Sequence, residues 1–235
     1  METDEAADIR PALSAVGKPL NTLWGYVADG LYIDEAGIAN NRTSTLGNIT
    51  IAAGDVKYVD QPDVNGNYDG QIDSDDRVAI GHPTIPEIIY GFGPSITWKK
   101  WDFSVFFQGQ ANVSLMMSGF EPFGTQSKNN VLEWIAEDYW SKENQNPNAK
   151  YPRLTKYNNN NNMQSSTYWL RNAAFLKLKN AEVGYNFKWG RVYMSRTNLL
   201  TLSPFKVWDP EVGGGKGMAY PTQRTFNLGV QITFK

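Results

Sequence analysis

The chain has 235 residues, with 22 Lys and Arg against 24 Asp and Glu, so no basic excess points to nucleic acid. The absence of cysteine excludes a disulfide framework and a thiolate metal site. No apolar run reaches the ~18 residues of a membrane-spanning helix, although aromatics make up 13% of the chain.

Residues 1–16, opening METDEAADIRPAL, form an acidic lead-in without the basic and apolar regions of a signal peptide. Segment 17–84 reads as a strand and a long loop with an Asp/Asn-rich turn. There Asn65, Asn67, Asp69, Gly70, Ile72, Asp73 and Asp76 follow an EF-hand-like register, with Asp63 and Asp75 nearby. Oxygens at that spacing around a turn glycine let a loop curl around a hard cation, so calcium is a candidate ligand. Asn at the first position and a short Asp at the last also fit a solvated Asx-rich turn. His82 is the sole histidine, with no second one to share a metal or proton relay, and no catalytic constellation is expected.

Segment 85–110 predicts a hairpin. In 88–98 Tyr90, Phe92, Ile96 and Trp98 share a face; in 101–109 Trp101, Phe103, Val105 and Phe107 do. Only Lys99 and Lys100 separate them. Segment 111–168 is a long polar connection. Within it VLEWIAEDYW (131–140) has helical spacing and predicts one short amphipathic helix, while NNNNN (158–162) reads as a flexible polar tip.

Segment 169–202 predicts a second hairpin. Along 175–187, Leu176 and Leu178 face one way and Ala181, Val183, Tyr185 and Phe187 the other. This implies a bulge near Lys179–Asn180 or a strand buried on both faces at one end. The 191–202 strand follows a tight turn at Trp189–Gly190 and alternates weakly. Segment 203–222 is a Gly-rich loop in which Trp208 and Tyr220 are candidate ligand contacts, able to stack on sugar rings or to anchor the loop. In 223–234 Phe226, Leu228, Val230, Ile232 and Phe234 share one face.

Short turns and long connections thus alternate between the two ends of an antiparallel meander, as in transmembrane β-barrels. Trp98, Trp101, Phe187, Trp189 and Phe234 fall at the short-turn end, where a membrane-interface girdle is expected. Aromatics filling a soluble sandwich core fit the same alternation.

Seven blocks resemble, in order, the C-terminal part of SusC/RagA-type TonB-dependent outer-membrane transporters of the Bacteroidetes. They are GKPLNTLWGYVADGLY (17–32), GDVKYVD (54–60), DGQIDSDDRVAIGHPTIPEIIYGF (69–92), WDFSVFFQG (101–109), YWLRNAAFLKLKNAEVGYNF (168–187), VYMSRTNLLTLSPFKVWDPEVGG (192–214) and YPTQRTFNLGVQITF (220–234). The resemblance implies an all-β fold, a partial segment of a 22-stranded barrel, with long external loops and residues 17–235 as the barrel segment. It implies a place in the outer membrane of a Gram-negative bacterium, in contact with lipid. Implied partners are a plug domain and N-terminal barrel strands, a SusD-like lipoprotein, and TonB through the plug alone. Uptake of glycan or peptide nutrient follows, without enzymatic activity and with no cofactor required. The chain departs from the family at Arg196, where Gly is usual, in a shortened turn between Phe187 and Arg191, and in Lys235 after the terminal aromatic Phe234. With so few strands the chain is expected not to transport by itself. The alternative is a soluble or secreted β-rich glycan-binding module derived from such a barrel.

Overall fold

The computed structural model describes residues 13–41, 43–47, 50–119, 131–156 and 159–234; most of the lead-in lies outside them. In chain order the elements are β1 (Leu23–Gly25), β2 (Ala28–Leu31), α1 (Glu35–Ala39), β3 (Thr43–Ser44), β4 (Val56–Tyr58), β5 (Gln71–Ile72) and β6 (Val78–Ile80). Then come β7 (Ile88–Phe92), β8 (Ser95–Trp98), β9 (Trp101–Ala111), β10 (Ser114–Met116), α2 (Glu133–Ala136) and β11 (Leu170–Asn172). The last are β12 (Phe175–Phe187), β13 (Gly190–Leu202) and β14 (Phe226–Ile232). Two compact units share the chain: residues 1–84 with 116–171, and residues 85–115 with 172–235.

The second unit is an open antiparallel sheet in the order β14-β13-β12-β9-β7, with β8 also on β9. The stretch 88–98 is two strands rather than one. Pro94 has no N–H to give the ladder, and a Cβ on Gly93 would stand 2.8 Å from the Val105 carbonyl oxygen. Pairing breaks there and resumes at Ser95↔Ser104. The weakly alternating segment after Trp189 is the full-length strand β13, paired on both sides, because its cross-strand partners rather than its own pattern define its faces.

A bulge lies between Leu178 and Asn180 of β12, against both neighbours. Leu178 opposes Phe107 and Ala181 opposes Val105. Phe107 and Val105 are two apart and share a face of β9, so the extra residue returns Leu178 and Ala181 to one side of the sheet. The sequence parity had set them on opposite sides.

The first unit folds what reads as loop into short paired strands: β1 with β6, β2 with β4, and β3 with β5, the last parallel. A second short helix, α1, joins the expected α2, with Asp34 capping it by accepting from Gly37 N–H at 2.7 Å. The core gathers Tyr26, Leu31, Val56, Tyr58, Ile72, Trp140 and Ala149. The asparagine run is a correction. Asn159, Asn161 and Asn162 are buried and form part of this interior rather than a flexible tip.

Candidate functional site

The sheet has two chemically distinct faces, and strand register assigns every residue to one of them. One row reads Ile96, Phe103, Val183, Met194, Leu228 across five strands. The next, toward the tight turns, reads Trp98, Trp101, Tyr185, Val192, Val230. On the same face, away from the turns, stand Phe92, Phe107, Leu178 and Leu200. This apolar face is open: Leu228 is 79% exposed and Phe234 88%. So large a contiguous apolar surface marks an interaction surface rather than the outside of a soluble monomer.

Trp98, Trp101, Phe187, Trp189 and Phe234 stand around the two tight turns. Trp98 pairs in register with Trp101, whose ring lies 5.0 Å from Tyr185. Phe187 opposes Gly190, and Thr233 donates to the Trp189 carbonyl at 2.8 Å, which holds Phe234 beside that turn. Both tight turns add a lysine over an indole, Lys99 at 4.8 Å from Trp98 and Lys188 at 5.5 Å from Trp189. Cation and indole side by side suit a surface that is apolar on one side and wet on the other.

The opposite face is polar. Asp102 accepts from Arg191 through both carboxylate oxygens and from Asn186 Nδ2 at 2.7 Å, while Glu182 meets the same guanidinium. Arg191 thus joins β9, β12 and β13 across three strands. Farther from the turns Lys177 is wholly buried, its Nζ donating to Asp209 Oδ2 and Glu211 Oε2 at 2.6 Å each. A buried ammonium is costly without partners, and two carboxylates supply them. Burial pushes Asp209 and Glu211 up. Hydrogen bonds and charge from Lys177, and from Lys179 at Glu211, outweigh it and leave both below the usual carboxylate range.

Segment 203–217 is thereby strapped to the polar face of β12. Trp208 is one of its anchors: its ring packs edge-on to Phe205 at 4.7 Å, Nε1 donates to the Gly213 carbonyl, and Gly217 lies against the ring where no Cβ would fit. Tyr220 differs, being 77% exposed with its hydroxyl accepting from Gln223. The structure does not gather these two into one constellation.

The Asp/Asn-rich turn closes largely on its own backbone. Asp63 accepts from the N–H groups of Asn65 and Asn67 at 2.8 and 2.9 Å, and these bonds hold its carboxyl below the ordinary range. Asp69 accepts from Gln71 N–H at 2.8 Å. Asp73 and Asp76 do come together, as the capping box of the 3-10 turn Ser74–Asp76. Asp76 also accepts from Gln61 N–H at 2.6 Å, and burial, partly countered by these bonds, raises its carboxyl. Among the described residues no group of three or more His, Asp or Glu is arranged to hold a metal ion. His82 is exposed in the bend after β6.

The polar centre of the first unit carries no sequence signal. Asp55 is fully buried and accepts from Arg153 Nε at 2.7 Å and Nη2 at 3.0 Å. It also accepts from Asn159 Nδ2 and Asn162 Nδ2, and from Ala52 N–H, at 2.9 Å each. Asn162 Oδ1 in turn accepts from Val56 N–H, and Asn161 Nδ2 donates to the Val56 carbonyl. The asparagines substitute for a missing strand along β4. Burial lifts the Tyr58 hydroxyl above its ordinary range, and it donates to the Asn161 carbonyl; burial also pushes Tyr151 up to about 12.

No protein-family model matches the chain. It is 30% identical over 210 residues to "TonB-dependent receptor P26" of Formosa agariphila, aligning 77% of the chain with 20% of that protein. "TonB-dependent receptor P3" of the same organism is 26% identical over 242 residues, 93% of this chain and 22% of the relative. "TonB-dependent receptor SusC" of Bacteroides thetaiotaomicron is 26% identical over 190 residues, 76% and 18%. The chain is homologous to part of the SusC/RagA-type TonB-dependent receptors. It spans about a fifth of the length of these curated relatives.

Among solved structures, the RagAB peptide importer in its "open-open" state superposes with a TM-score of 0.64 at 20% identity, over 91% of this chain and 22% of that one. The "closed-closed" state gives 0.62 at 21% identity, over 91% and 23%. The fold therefore matches part of the RagA barrel, and the barrel is not closed within this segment. Homology to TonB-dependent receptors implies the outer membrane.

Proposed function

We propose that the chain is the C-terminal β-barrel segment of a TonB-dependent nutrient transporter, supplying barrel wall and external loops. The observation that carries this reading is the sheet's exposed apolar face, bounded at its tight turns by Trp98, Trp101, Phe187, Trp189 and Phe234. In this reading the face meets lipid, the aromatics form the periplasmic girdle, and Asp102, Glu182 and Arg191 face the lumen of a 22-stranded barrel. The long connections 17–84, 111–168 and 203–222 lie outside. A plug domain and the N-terminal strands complete the barrel, a SusD-like lipoprotein covers it, and TonB acts only through the plug. Six strands leave two open edges, so the chain is inactive for transport by itself. Glycan or peptide is the cargo class.

The absence of native cysteine makes the test clean. In proteoliposomes Leu228→Cys is expected to resist a water-soluble maleimide, while Asn227→Cys on the other face reacts. Equal labelling of both, or a cooperative monomer in plain buffer, refutes the lipid-facing reading. The second outcome would favour a soluble glycan-binding module, a reading that the exposed Tyr220 ring supports. For the 65–76 turn, the carboxylate-to-backbone bonds favour a self-closed Asx turn over calcium. Chelation by EGTA should leave thermal unfolding unchanged; a clear drop in melting temperature would restore calcium.

A further inference from the structure

β14 begins at Phe226, and the nine residues to Phe234 match the about 9–11 of a transmembrane strand. Phe226 thus marks the end of β14 away from the tight turns, while β13 carries Leu200 and Leu202 farther out on the same face. Arg196 stands opposite it, in a row continued by Ala181 and Val105. Register therefore sets Arg196 on the apolar face, at the level where β14 ends.

Its surroundings are unusual for a cation. The guanidinium lies 4.1 Å from the Phe226 ring centroid, and Nε is buried without a hydrogen-bond partner. The sheet's ion pairs belong to Arg191, Lys177 and Lys179, and none reaches Arg196 among the described residues. Beside it runs a groove of about 380 Å³ walled mostly by Phe103, Val105, Val183, Met194, Leu199 and Phe226; Glu182 also lines it, its carboxylate held by Arg191. From Arg196, Phe103, Val183 and Met194 lie toward the tight-turn end, and Leu199 lies on the other side. A cation on a lipid-facing strand is costly at mid-depth and nearly free at headgroup level. Arginine also has a planar fork suited to phosphate oxygens.

We propose that this groove holds an acyl lipid with an anionic, phosphate-bearing headgroup. One acyl chain lies along Phe103, Val183 and Met194, and the phosphate accepts from the Arg196 guanidinium. Charge complementarity selects the occupant: the walls take hydrocarbon, and one unpaired cation sits at one end. The proposal rests on the lipid-facing reading of this sheet given above.

The test is native mass spectrometry of the full chain in detergent with equimolar phosphatidylglycerol and phosphatidylcholine. One juxtaposed cation at headgroup level predicts a roughly fivefold preference for the anionic lipid. Arg196→Gln and Arg196→Leu are expected to abolish that preference with strand circular dichroism unchanged, and Lys188→Gln at the turn end to keep it. Equal retention of the two lipids by the wild-type chain overturns the proposal whatever the variants do. A protein carboxylate facing Arg196 would give that same result. A preference undiminished in a folded Arg196 variant overturns it as well. Retention of neither lipid, together with a water-accessible Leu228→Cys, removes the lipid-facing reading and the proposal with it. Retention of both in equal measure with a protected Leu228→Cys removes the proposal alone.

Discussion

Replacing Asp55 with Ala removes the acceptor on which five hydrogen bonds converge. Breaking a buried ion pair by deleting one partner costs about 3–5 kcal/mol. Here Arg153 keeps 24% of its side-chain exposure and can turn to water, so roughly half of that applies. The Asn159 and Asn162 amides have no such escape, and each unsatisfied donor adds about 1–3 kcal/mol. Neighbouring losses are not additive, so the expected total is about 4 kcal/mol rather than the full sum. A change of that size is a large share of a typical domain stability of about 5–15 kcal/mol. Hydrogen exchange with peptide-level mass spectrometry reads it locally, so reversible global unfolding is not required. Protection over 52–58 and 159–163 should fall about a thousandfold, while protection over β9, β12 and β13 holds. A loss under tenfold over both segments refutes the assignment of Asp55 as the polar centre of its unit.

Lys177→Met leaves Asp209 and Glu211 facing each other without their buried cation, so limited proteolysis should cut within 203–217 while the sheet resists. Both carboxylates are depressed in the folded state, so the stability they give is present above their unfolded values and is lost as pH falls through the folded ones. Exchange protection of the strap should be flat above about pH 5 and decline below about pH 4; protection that instead falls on raising the pH contradicts the ion-pair account. Gly54→Ala meets two obstacles, a φ of +87° and a Trp140 ring 2.3 Å from the new Cβ, and should destabilise the first unit by more than about 2 kcal/mol in denaturant titration.

What could be read from the sequence depended on how local the determining physics was. The β14 alternation needs only its own residues, so its two faces were legible, as was the tight turn at Lys99–Lys100. Asp55 and the asparagine run lie about a hundred residues apart and become one centre only when the chain folds back. An asparagine that donates to a distant carboxylate has the same letter as one that donates to water. Lys177 was hidden in the same way. In FLKLK it reads as one more polar-face residue, and only Asp209 and Glu211 show that it is a buried clamp. Trp208 carried a real signal, an aromatic in a Gly-rich loop, but Gly217 beneath its ring makes it an anchor rather than an open platform.

The bulge between Leu178 and Asn180 links these levels. Without it, strict period 2 would turn Ala181, Val183 and Tyr185 onto the face that carries Lys177, and put Glu182 and Gly184 on the open apolar side. One extra residue in β12 lets the Lys177 clamp and the Arg191 bridge share one face, although an odd number of positions separates Lys177 from Glu182. The apolar rows on the other side stay unbroken from Leu176 to Phe187 by the same device. Arg196 is the one charge left in those rows, and it lies opposite Ala181, just past the bulge. Arg196 keeps the face of Met194 and Val192 on its own strand, and the register with β14 sets it beside Phe226 there.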